Sequence, residues 1–156
     1  MLLLKISLFL HVMSAIFWIG GMLFLVFVIA PFLASLDDPK KKSEIYQVVG
    51  KKFRFLGWIA IIVLLVTGPI NLYYMGVPLS LLFDPEFHAT AYGQALMIKI
   101  AFVLLIVLSS LLHDFWIGPG ARKSKKMSRA ARIMGRGNLL LALIVVIFAV
   151  IVRVGG

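Results

Sequence analysis

The chain has 156 residues, 62% of them hydrophobic and only 14% charged, a net charge of +10 and a mean hydropathy of +1.07. This balance excludes a soluble domain and implies an all-α integral membrane protein, a four-transmembrane-helix bundle filling a single membrane domain over residues 1–156. There is no cysteine, which removes disulfides, thiolate metal sites, iron–sulfur clusters and covalently attached c-type haem, so any metal must be held by His, Met, Lys, Asp, Glu or backbone.

The first span is predicted over about residues 2–32, longer than the roughly 20 residues needed to cross a bilayer. Its apolar run is too long for a cleaved signal peptide and continues past Pro31, so it reads as a retained helix. Within it, His11, Ser14, Ala15, Trp18, Gly21 and Met22 recur at helical steps of three and four. That face is polar, small and aromatic, which suits a partner or a ligand. A charged loop is expected over 34–54, with at most a helical turn through Ile45 to Val49.

The second span, about 55–75, carries Thr67-Gly68-Pro69 and Asn71. Pro69 removes one backbone donor, and the carbonyl it leaves open needs a neighbour such as Thr67 or Asn71. A short connection follows to Thr90, with Asp84, Glu86 and His88 and no basic residue. The third span, about 91–117, contains Lys99 and His113 and ends at Gly118-Pro119-Gly120. Next comes the strongest charge run, with seven Lys and Arg residues over 121–136, and the fourth span is placed at about 128–152. No internal repeat stands out.

Thirteen of the sixteen Lys and Arg residues fall in the first and third connections and none in the second. By the positive-inside rule, segments 34–54 and 121–136 are cytoplasmic and both termini lie outside. In a chain of this kind the basic residues set orientation and attract anionic lipid, so nucleic acid is not an expected partner. With the first and third helices both running from outside to inside, His11 and Lys99 fall at similar depth and can face each other, with His88, Met13, Met75 and Met97 in the same half of the membrane. His113 falls near the inner end, close to Met134 and Asn138, where it forms a second, inner candidate site.

An ionisable side chain inside a span is a functional candidate by default. His11 could ligate haem b axially, with Ser14 and Gly21 leaving room for the macrocycle and Trp18 packing on it. Lys99, as a desolvated neutral amine, or His88 would supply the other ligand. A copper reading uses nearly the same atoms, since imidazole and the thioethers of Met13, Met75 and Met97 suit copper(I). There is no nucleophile–base pair, no phosphate loop and no carboxylate pair within a span, so hydrolysis and nucleotide chemistry are not expected.

His11 with Trp18 and Gly21, Pro31, Thr67-Gly68 with Asn71, Lys99, and His113-Asp114-Phe115-Trp116-Ile117-Gly118-Pro119 together resemble the copper resistance protein D family. They also resemble the related membrane protoporphyrinogen oxidases of bacteria. The resemblance implies a four-helix bundle in a bacterial inner membrane. In the oxidase branch it also implies haem b held by the residues that correspond to His11 and Lys99. The arginine and second histidine of that branch are replaced here by apolar Leu23 to Ala30. The expectation taken forward is a haem b protein of electron transfer or haem handling, with copper transport and porphyrinogen oxidation as alternatives. Its expected partners are membrane lipid, a redox partner or quinone, and a second copy of the chain.

Overall fold

The computed structural model describes residues 1–120 and 124–155; Arg122 and Lys123 of the basic run lie outside the described residues. Among the described residues there is no strand, and four helices are long and apolar enough to cross a membrane. The chain divides into two compact units, Met1–Tyr74 and Met75–Gly156. Each contains a pair of long helices.

In the first unit, α1 (Leu2–Phe24) runs through a π-helical turn (Leu25–Ile29) into α2 (Ala30–Ser35), and α3 (Pro39–Tyr74) returns. The boundaries of α3 correct the expectation of a loop over 34–54. Asp38 Oδ1 accepts from the backbone N–H of Lys40 at 2.8 Å and of Lys41 at 3.3 Å, while Pro39 occupies the first helical position. An aspartate followed by proline is a strong helix start, because one satisfies the orphan amides and the other has none to satisfy. With 36 residues, α3 is about 54 Å long, well beyond the roughly 30 Å hydrocarbon layer, so helix and membrane span do not end together.

The pair is antiparallel: Gly21 meets Phe53, Trp18 meets Gly57, and His11 meets Thr67 and Gly68. Small residues let the backbones approach, as is usual where lipid supplies no hydrophobic force between helices. A Cβ on Gly21 would run into the Phe53 ring, which also stacks near Phe17 with centroids 6.4 Å apart. Gly21→Ala is therefore expected to cost about 1–3 kcal/mol of overpacking, read as a lower unfolding midpoint in detergent. Adding Phe53→Leu should recover most of the loss. Phe9, Phe27, Phe55 and Ile62 are exposed and are left for lipid tails to cover.

The second unit opens with a 3₁₀ turn (Leu79–Phe83) and the short α4 (Pro85–Ala89), so the connection to Thr90 is more structured than expected. Then α5 (Ala91–Leu112) passes through a second π turn (His113–Ile117) into α6 (Gly118–Gly120), and α7 (Lys125–Val154) returns, starting three residues before the expected boundary. Asn138 Nδ2 donates to Ser110 Oγ at 3.2 Å, and Phe102 stacks on Phe148 with centroids 6.2 Å apart. Left-handed glycines follow both return helices, Gly76 after α3 and Gly155 at the end of α7, at φ values of +85° and +107° that side chains rarely adopt.

The two units share one plan that the amino-acid pattern does not advertise. Shifting the first by 88 positions takes Leu25 onto His113 and Pro31 onto Pro119, so each π turn ends two residues before a proline. The same shift takes the buried Ser7, Trp18 and Met22 onto the buried Ala95, Ile106 and Ser110. It also takes half-buried His11 onto half-buried Lys99. Packing positions are retained while residue identities are not, which is why no repeat is visible in the sequence.

Candidate metal centre

His11 stands in the middle of α1, and its ring is held by α3. Nδ1 lies 2.7 Å from Thr67 Oγ1. Thr67 Oγ1 in turn lies 2.6 Å from the carbonyl oxygen of Val63, one turn earlier on α3. A carbonyl can only accept, so in the arrangement that satisfies both contacts the hydroxyl gives its hydrogen to Val63 and accepts from His11 Nδ1. In that tautomer of the neutral imidazole the lone pair lies on Nε2, the arrangement by which outer-shell groups prepare a histidine for metal. His11 Cε1 also lies 3.8 Å from where a Cβ on Gly68 would stand, so the ring edge rests against a gap in α3.

Around this bond the pair is polar and closed. Ser7, one turn before His11, is buried and reaches the Thr67 carbonyl at 3.5 Å. Asn71, one turn beyond Thr67, is buried, and its Oδ1 has no hydrogen-bond partner among the described residues. The Thr67 hydroxyl serves the Val63 carbonyl, not the carbonyl that Pro69 leaves open. Sequence reasoning singled out His11 and Thr67 separately but missed their bond. The i, i+4 pairs Ser7–His11 and Thr67–Asn71 were the available signal.

Trp18 is buried against Gly57, and Phe53 fills the space beside Gly21. Within this helix pair, the space at Gly21 expected to admit a flat macrocycle is filled by Phe53, and Trp18, expected to pack on the macrocycle, packs on Gly57. Ser14 is half-buried on the same helix.

The remaining candidates belong to the second unit. Lys99 is half-buried on α5. His113 Nδ1 lies 2.7 Å from Asp114 Oδ1, a local hydrogen-bond contact on the π turn. His88, expected in a loop, is half-buried on α4, and its Nε2 donates to the Leu82 carbonyl at 2.8 Å. Among the methionines of the copper reading, Met13 and Met75 are exposed, while Met97 lines a depression with His88, Gln94 and Ile98. Among the described residues, no group of three or more His, Cys, Asp or Glu side chains is placed to hold a metal ion.

The sequence pattern of copper resistance protein D matches residues 47–152, about two thirds of the chain. The chain belongs to the copper resistance protein D family. The matched stretch takes in α5, α4 and most of α3 and α7, while α1 with His11 precedes it. A relative from Aquifex aeolicus (strain VF5), described as an uncharacterized protein, is 38% identical over 152 residues, covering 97% of this chain and 96% of its own. No solved structure matches. The protein is therefore a multi-pass membrane protein of a copper resistance family, and the haem b expectation gains no support from these relationships.

Proposed function

We propose that this copper resistance D protein moves copper(I) through the membrane, with His11 Nε2 as a ligand for the ion in transit. The observation that carries this reading is the Nδ1 to Thr67 bond of 2.7 Å, which orients an imidazole for metal inside an apolar helix. Family membership supplies the identity of the ion. Copper is cargo here, and a site with few ligands suits an ion that must also leave. In this reading the termini and the 76–90 segment lie outside, and the basic starts of α3 and α7 face the anionic inner leaflet.

The test is copper(I) uptake into liposomes carrying the purified protein and an internal chromophoric copper(I) chelator. Uptake should exceed that of protein-free liposomes at least tenfold. Equal rates overturn the reading. An absorption spectrum of the same preparation with a Soret band that His11→Ala removes would instead assign the histidine to haem b.

A further inference from the structure

The elbow between α4 and α5 is built tightly for a membrane-protein connection. Asp84 caps α4 by accepting from the Glu86 N–H at 2.9 Å, and Pro85 starts the helix. Thr90 ends α4 and begins α5: its hydroxyl donates to the Phe87 carbonyl at 2.7 Å and accepts from the Gly93 N–H at 2.9 Å. Gly93 is buried so closely against the Phe87 carbonyl that no Cβ fits, and Phe87 meets Tyr92 edge-on with centroids 6.0 Å apart. The consequence is a fixed angle that brings His88 on α4 and Gln94, Met97 and Ile98 on α5 to one depression.

His88 is oriented as well as placed. Its Nε2 lies 2.8 Å from the Leu82 carbonyl, which can only accept, so Nε2 carries the hydrogen and Nδ1 the lone pair. Its described lining residues thus bring an imidazole, a thioether and an amide side chain to the depression, and no carboxylate is among them. Thioether and imidazole favour copper(I), whereas calcium, magnesium and manganese prefer carboxylate and carbonyl oxygen.

We infer that this depression is a second copper(I) site, in which His88 Nδ1 and Met97 Sδ bind the ion and the Gln94 amide borders it. The inference rests on the copper reading above and names a further station for the same cargo. It asks for no redox step, since the ion binds and leaves as copper(I).

The test uses the full-length protein in detergent, titrated anaerobically with copper(I) against a chromophoric chelator in a His11→Ala background. One copper(I) should remain bound, with sulfur in its X-ray absorption fine structure. Met97→Leu should remove the sulfur signal, and each of Met97→Leu and His88→Ala should weaken binding at least tenfold. Retention of affinity and sulfur scattering in both variants overturns the site. A measurement on the unmutated chain guards against misfolded variants: in histidine-labelled protein, silver(I) as a copper(I) probe should shift the His88 Nδ1 resonance and leave Nε2 bound to hydrogen. A shift at Nε2 alone, or none, also overturns it. Copper uptake into liposomes with an empty depression would sink this inference alone, and a loaded depression without uptake would sink the transport reading alone.

Discussion

His11→Ala is expected to reduce copper(I) uptake into liposomes to the protein-free background while leaving a folded, helical protein. In the proposed reading the ring is a copper(I) ligand held within a span, and no group of three His, Cys, Asp or Glu stands in reserve among the described residues. Thr67→Val is the sharper experiment, because Thr67 is not itself a proposed ligand. Valine keeps the shape and removes the hydroxyl that receives the His11 Nδ1 proton at 2.7 Å. Loss of such an outer-shell partner typically costs 10–100-fold in metal affinity, about 1.4–2.8 kcal/mol. An interhelical hydrogen bond in a membrane protein is worth about 0.6 kcal/mol on average, so stability should change far less than binding. Thr67→Ser should restore most of the affinity. Equal losses in stability and affinity, or normal affinity in Thr67→Val, would show that the bond only packs helices.

The second large effect is expected at Gly93. Alanine there would place a methyl group on the Phe87 carbonyl oxygen, a backbone atom that the Thr90 caps prevent from moving away. Overpacking of this kind costs about 1–3 kcal/mol, and relief requires opening the α4–α5 elbow. Gly93→Ala should therefore lower the unfolding midpoint and also release copper(I) from the His88–Met97 depression, although no ligand is altered. Gly135 on α7 is the control, since a Cβ there meets nothing within 4 Å. Gly135→Ala should be neutral or stabilise by up to about 1 kcal/mol through helix propensity. A similar loss in both variants would point to a general intolerance of change, with no special part for the elbow.

Four membrane helices were legible because hydropathy over about 20 residues outweighs every local signal. The start of α3 was not, because Lys40, Lys41 and Lys42 read as a solvated loop when only charge is weighed. The Asp38-Pro39 pair that begins the helix is a local capping signal, and capping, not charge, decides where a helix starts. Asp84-Pro85 repeats the lesson at α4, and it moves His88 from a solvated loop to an oriented side chain. At the candidate site, periodicity identified the face of α1 with His11, Trp18 and Gly21, but it could not say what each residue meets. Gly21 and Trp18 are used to pack against Phe53 and Gly57, and His11 is the one that finds a polar partner. Which face of α3 stood opposite required the register of the pair, and register is a property of two helices together.

The π turns at Leu25–Ile29 and His113–Ile117 can also be regarded as phase shifts. A π turn behaves as a single residue inserted into an α-helix, so the helix beyond it is rotated by about 100° relative to a straight continuation. Deleting one residue from Leu25–Ile29 would let the helix run without interruption and would leave Ser7, His11 and Trp18 facing α3 as before. Leu33, buried beyond the turn, would swing away from its present neighbours. The turn thus acts as a joint in the sequence code: the half of the helix that carries His11 and the half that leads into the basic segment can each keep their own angle.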